Sequence, residues 1–201
     1  MPTIANIASV SDIFRFAFCF GTNVIDSAVL DPMLIRWSDQ ENVFNWNPST
    51  GNLTAGSLRV SHGTEIIAVV QARQEVLVWT DSAVYSMQYL GGDIVWNAQL
   101  MGNNISIASQ NAVAFTGSAA YWMGKDKFYK YDGTVMTLPC NVKRYVFNNI
   151  NTAQFNQVVA GNNEGFNEVW WFYPSDGATT NDRYVVYNYH EEIWYYGTLA
   201  R

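Results

Sequence analysis

The chain has 201 residues and a net charge of −6; 49% of its residues are apolar and 14% are charged. That length suffices for a sizeable core in one domain or two small ones. Only four Lys and seven Arg are present and no basic run exists, which excludes a surface built to grip the phosphate backbone of nucleic acid.

The charged fraction lies well under the roughly 25% of an average soluble chain. Two readings stand: much of the surface is covered by something other than water, or it is made polar by the 20 Asn. No basic stretch precedes an apolar run at the N-terminus, so no secretory signal is read. No window approaches the roughly 20 apolar residues that a bilayer span requires.

Residues 1–64 are the least regular part and are expected to supply irregular strands, a partial blade of the kind described below. Phe14, Phe16, Phe18 and Phe20 alternate along one strand face. Residues 35–38 and 42–46 read as a hairpin, 47–51 as a turn and 52–61 as a loop. From residue 65 a strand–hairpin–strand unit recurs three times. Its first copy holds Trp79, Thr80 and Asp81 followed by Tyr85 and Met87; its second holds Trp122 and Gly124 followed by Phe128, Tyr129 and Asp132-Gly133; its third holds Trp170 and Trp171 followed by Arg183 and Tyr187. Trp79, Trp122 and Trp171 stand 43 and 49 residues apart, a period typical of stacked repeats.

Each unit gains a short strand in front (65–71, 111–116, 156–160) and another behind (94–99, 134–138, 193–198). Four antiparallel strands per repeat is the anatomy of a propeller blade. The expected fold is therefore all-β: a β-propeller-like stack of antiparallel four-stranded blades. Three are complete, at about 65–99, 111–138 and 156–198, and one is partial, the whole forming one folded unit. Because four blades are the usual lower limit for closure, either the N-terminal strands complete the ring or the propeller is incomplete. Helical signals are nearly absent. In the run 84–89 apolar and polar residues do not alternate cleanly, so both sheet faces are expected to be covered. Asp132-Gly133 is the strongest hairpin signal, since Gly accepts a positive φ.

No motif carries a reaction. Cys19 and Cys140 are far apart and in no CxxC pair, which argues against zinc and for buried free thiols, with one long-range disulfide allowed. With only His62 and His190, neither a multi-His metal site nor a catalytic triad is expected. His190, Glu191, Glu192 and the nearby Asp182 offer carboxyl groups of the type a glycosidase needs, but a solvated turn between two strands is the favoured reading. Asn52 and Asn104 head glycosylation tripeptides too short to carry weight in an Asn-rich chain. Val142-Lys143-Arg144 reads as a solvated strand end. Tyr189, Trp194, Tyr195 and Tyr196 crowd the C-terminal end, where they either stack on sugar rings, anchor an interface, or fill the wedge between blades. Val78-Trp79-Thr80-Asp81 resembles the signature of lipoprotein-receptor propellers but occurs once, and a repeat family needs recurrence.

Several strings are familiar in combination: Leu34-Ile35-Arg36-Trp37-Ser38-Asp39 with Trp46 and Pro48, Leu77 to Asp81 with Tyr85 and Met87, Tyr121 to Gly124 with Leu138-Pro139-Cys140, and Glu168 to Pro174 with Trp194 and Gly197. In that order, from about residue 34 to 201, they resemble virion structural proteins of tailed bacteriophages, in particular the propeller-bearing tail nozzle, or tail tubular protein B, family of short-tailed phages. The resemblance implies a rigid, non-enzymatic virion component in the phage tail. It implies a homo-oligomeric ring in contact with other tail proteins, with DNA passing through a lumen during ejection rather than being read by sequence. It transfers no catalytic residue, cofactor or metal. Family members are usually longer, so a truncated or split version is expected, which puts the closed ring in doubt. The alternative is a carbohydrate-binding or glycan-processing propeller that reads a host receptor, with a shallow aromatic cleft that includes Trp194. A secreted receptor propeller of eukaryotic type lacks its signal and its Cys framework.

Overall fold

The computed structural model describes residues 1–51 and 54–199. Among the described residues sixteen strands form four separate four-stranded antiparallel sheets, and in each sheet the strands follow one another in chain order as a meander. This is the blade topology expected from the repeat. The N-terminal residues form a complete fourth blade rather than a partial one. The chain divides into two compact units, Met1–Ile105 and Ser106–Arg201, with two blades in each, so the division falls between the second and third blades.

In the first unit, blade 1 comprises β1 (Ala5–Ser11), β2 (Phe16–Asn23), β3 (Leu30–Trp37) and β4 (Gly56–Arg59). Phe16, Phe18 and Phe20 do share one face, as their alternation predicts, and all are buried. Phe14 precedes the strand and lies on Tyr89, ring centroids 4.7 Å apart. The predicted 35–46 hairpin does not form. Residues 35–37 belong to β3, which pairs with β2 and β4, and 42–46 are loop. The loop expected at 52–61 contains β4. Arg36, fully buried, donates to the carbonyls of Asn23 (3.2 Å) and Trp46 (3.3 Å), and so holds both covering loops against the outer face of the blade.

Blade 2 comprises β5 (Ile66–Gln71), β6 (Glu75–Thr80), β7 (Ala83–Tyr89) and β8 (Trp96–Asn103). It packs face to face on blade 1 through a single core. Phe16, Phe18, Phe20, Ile35 and Trp37 come from one sheet; Val76, Val78, Tyr85, Met87 and Trp96 come from the other. Trp96 is the keystone: it meets Phe16 and Phe18 edge to face at 5.6 and 4.9 Å, a favourable arrangement for aromatic quadrupoles. Every residue of β6 from Val76 to Thr80 is buried, so both faces of this strand are covered.

In the second unit, blade 3 comprises β9 (Val113–Phe115), β10 (Ala120–Met123), β11 (Phe128–Tyr131) and β12 (Val135–Leu138). Blade 4 comprises β13 (Val159–Asn163), β14 (Glu168–Tyr173), β15 (Arg183–Asn188) and β16 (Ile193–Thr198). Gly133 closes the β11–β12 hairpin at φ +107°, as its turn signal predicts. The strand expected at 156–160 is displaced: 152–157 form a 3-10 turn, capped by the Asn151 side chain, and the strand starts at Val159. Lys143 and Arg144 do not end a strand but open a short helix, α1 (Lys143–Phe147), which the strand-only reading missed.

Phe128 of blade 3 contacts Trp171 and Trp194 of blade 4 at 5.0 and 4.7 Å. Trp171 Nε1 donates to the carbonyl of Ala112 (3.0 Å), fixing β14 to the neighbouring sheet. At one end of this wedge α1 closes the gap, with Phe147 on Phe128 (5.2 Å) and Tyr145 on Tyr196 (4.2 Å). The three periodic tryptophans are all fully buried, yet they do not point alike. Trp171 faces the partner blade of its unit, whereas Trp79 and Trp122 sit on the faces opposite to those that pair within their units. The repeat is one of strands, not of ring orientation.

Trp171→Ala removes a buried indole and a buried hydrogen bond together, and should lower unfolding free energy by about 3–5 kcal/mol. Val159→Ala, on an exposed position, should change it by less than about 0.5 kcal/mol. Urea denaturation followed by tryptophan fluorescence checks both; equal effects would mean that the wedge does not hold the blades.

Candidate functional site

The carboxyl groups singled out in the sequence are not brought together. His190, Glu191 and Glu192 form the exposed β15–β16 turn, where the Asn188 side-chain oxygen accepts from the amides of His190 (3.1 Å) and Glu191 (2.9 Å). Asp182 lies at the opposite end of β15, accepting from the amide (2.7 Å) and hydroxyl (2.6 Å) of Ser175. Asp81 plays the matching part in blade 2, accepting from the amide (2.7 Å) and hydroxyl (2.8 Å) of Thr64. The Trp79-Thr80-Asp81 string is thus a turn clip. His62 belongs to the same corner, its amide donating to the Tyr85 hydroxyl at 2.7 Å.

Cys19 and Cys140 are half-buried free thiols, and burial raises both, Cys140 to about 11. Among the described residues no group of three His, Cys, Asp or Glu is placed to hold a metal ion. Asn104 is exposed at the end of β8 with φ +57°; Asn52 lies outside the described residues.

The C-terminal aromatics separate into four roles. Trp194 packs in the wedge, stacked on Trp171 (6.0 Å) and tilted against Tyr187 (4.6 Å), and its Nε1 donates to the Pro139 carbonyl at 2.8 Å; of the three roles open to it, this is wedge filling. Tyr196 meets α1. Tyr195 lies on the other face of blade 4, and Tyr189 at the mouth of a cleft.

That other face is the more unusual surface. Strand pairing sets Trp170 between Gly161 and Val186, with Tyr195 on the far side of Val186, and Phe172 between Val159 and Tyr184. Trp170 contacts Tyr184 at 5.0 Å and stacks with Phe172 at 6.0 Å. The Tyr184 ring lies so close over Gly197 that a Cβ there would collide with it, the covering of an edge glycine by an aromatic ring. The rings shield each other only in part: Trp170, Phe172 and Tyr184 are half-buried, and Tyr195, Val159 and Ile193 are 45%, 41% and 39% exposed. Blade 4 thus carries one aromatic face packed in the wedge and a second one that is only partly covered.

The cleft opens at the end of the wedge opposite α1. It has a volume of about 270 Å³ and is walled by Tyr121, Lys130 and Met136 from blade 3 and by Tyr187, Tyr189 and Glu192 from blade 4. Tyr121 stacks on Tyr189 at 5.8 Å. Burial, reinforced by the negative charges of Asp132 and Glu192, pushes the Tyr121 hydroxyl up to about 12. Lys130 is paired with Asp132 at 2.7 Å. Tyr121, Tyr187, Lys130 and Met136 were not singled out by sequence reasoning, because only strand register aligns them.

No family model matches the sequence, and no curated protein matches it. Among solved structures the chain is similar to Hsv2 of Kluyvelomyces marxianus over 90% of its length, at 6% identity and a TM-score of 0.48. It is similar to the N-terminal domain of Nup159 over 98%, at 7% and 0.49. A chain from an S. cerevisiae complex of Dbp5 with Nup159, Gle1, IP6 and ADP aligns over 98%, at 11% and 0.38. The chain spans 44% of the length of the first two and 61% of the third. At such identities and scores the likeness identifies no family and transfers no function.

For Asp81 and Asp182, burial disfavours the charge, but the hydrogen bonds from Thr64 and Ser175 outweigh it and hold both carboxyls below the ordinary aspartate range. A carboxyl lowered on folding contributes stability above its unfolded pKa and loses it as pH falls through the folded value. Stability should therefore hold from neutral pH to about 5 and decline below about 4. Urea midpoints measured across that range should decline less steeply in Asp81→Asn/Asp182→Asn; an unchanged slope would show that these clips do not contribute.

Proposed function

We propose that the chain is a non-enzymatic structural component of a bacteriophage tail, of the nozzle or tail-tube type. In this reading it assembles in several copies around an axis, contacts other tail proteins and helps form the conduit for DNA ejection. The observation that carries it is the second aromatic face of blade 4. Trp170, Phe172, Tyr184 and Tyr195 form an apolar sheet surface of the composition found at the cores of protein interfaces, rich in aromatics and poor in charge.

Two further features support the reading. The ordered strings from Leu34 to Gly197 resemble the tail-nozzle family, and two of them lie at the structural centre of their blades: Arg36 pins the loops of blade 1, and Trp171 locks blade 4 to blade 3. Paired sheets filled with large rings make a stiff part, since each buried large side chain contributes roughly 1.5–3 kcal/mol. The net charge of −6 suits a conduit that DNA passes without adhering, through like-charge repulsion.

Trp170→Ser and Tyr195→Lys leave the wedge intact and should preserve the folded chain while abolishing incorporation into tails; hot-spot rings of this kind cost about 2 kcal/mol or more when removed. Complementation of a gene-deleted phage, with particles examined by electron microscopy, reads this out. Normal tails from both variants would remove the assembly role of this face.

A further inference from the structure

We infer that the cleft between β10–β12 and the β15–β16 turn is a saccharide-binding site that takes a single terminal pyranose. The inference goes beyond the structural role above and does not depend on it. Three phenols converge on the cleft, from Tyr121, Tyr187 and Tyr189, and none of their hydroxyls hydrogen-bonds to another described residue. The Glu192 carboxylate likewise has no ion pair or hydrogen bond among the described residues. Hydroxyl groups that both donate and accept, together with a carboxylate acceptor, match the alternating demands of a sugar's hydroxyls. Ring faces and the Met136 side chain match the C–H faces of the pyranose.

Glu192 stands at φ +59°, a left-handed state it shares with Arg15, Asp26, Glu41, Asn104 and Asn167; what distinguishes it is that it lines the cleft. Lys130 and Asp132 offset each other at 2.7 Å, which leaves the Glu192 carboxylate as the cleft's uncompensated charge; the phenols favour a polyol over a bare ammonium group because they can both donate to and accept from its hydroxyls. The volume of about 270 Å³ is of the size of one sugar ring.

The test is saturation-transfer NMR of the whole chain with methyl pyranosides of glucose, galactose, mannose and N-acetylglucosamine, alongside tetramethylammonium as a cationic control and a printed array of bacterial surface oligosaccharides. At least one pyranoside should bind, with affinity reduced about tenfold or more in Tyr189→Ala and in Glu192→Gln. Both positions lie at the mouth, and thermal midpoints should stay within about 2 °C of the parent. Tyr189→Phe, which keeps the ring and drops the hydroxyl, should retain an intermediate affinity. Absence of binding to every sugar, sugar binding unaltered in both variants, or selective binding of tetramethylammonium would each overturn the proposal. None of these results bears on tail assembly, which the Trp170 and Tyr195 variants read separately.

Discussion

Phe18 meets the edge of Trp96 at 4.9 Å in one unit, and Trp171 lies 5.0 Å from Phe128 in the other. A four-stranded meander with apolar faces cannot bury them against itself and needs another layer to cover them. Each blade here acquires a partner through a layer of interdigitated rings, every aromatic removing roughly 150–250 Å² from water. The short strands, some of only three or four residues, persist because their side chains are gripped from the neighbouring sheet. Their own ladders contribute little.

The remaining features follow from how each wedge is finished. Between blades 3 and 4 the gap is plugged at one end by α1 through Val146 and Phe147, and at the other it stays open between tyrosines. On blade 1 loops tied down by the buried Arg36 through backbone carbonyls cover the outer face over β3, while Ala8, Val10, Ser57 and Arg59 on the same face stay exposed. On blade 4 the outer face has only its own rings for cover. What sets the blade 4 face apart is its composition: Trp170, Phe172, Tyr184 and Tyr195 leave ring surface only partly covered, and that is the physical basis of the assembly proposal.

Much of the fold was legible in the sequence because strands and turns are local. The Phe16–Phe18–Phe20 alternation, the Asp132-Gly133 turn and the hairpins after Trp79 and Trp122 all carried their own signals. Blade 1 was under-read because its β3 strand, with Pro32 and Arg36 in it, breaks the apolar pattern, and because β4 has only four residues. Helix α1 is shorter than any periodicity can reveal. The two faces of blade 4 were hidden for a different reason: Val169 to Tyr173 are all apolar or aromatic, so alternation cannot separate Trp171, packed in the wedge, from Trp170, half-exposed. The cleft depends on register between residues up to 71 positions apart, from Tyr121 to Glu192, which no local pattern encodes.

Hydroxyl-radical footprinting of the chain in solution, read residue by residue by mass spectrometry, tests the paired-sheet account most directly. Trp79, Trp96, Trp122 and Trp171 should be protected to the level of a buried core, while Trp170, Tyr184 and Tyr195 are modified readily. Comparable labelling of Trp170 and Trp171, neighbours on one strand, would contradict it, because a sheet with one face locked in a wedge cannot expose both.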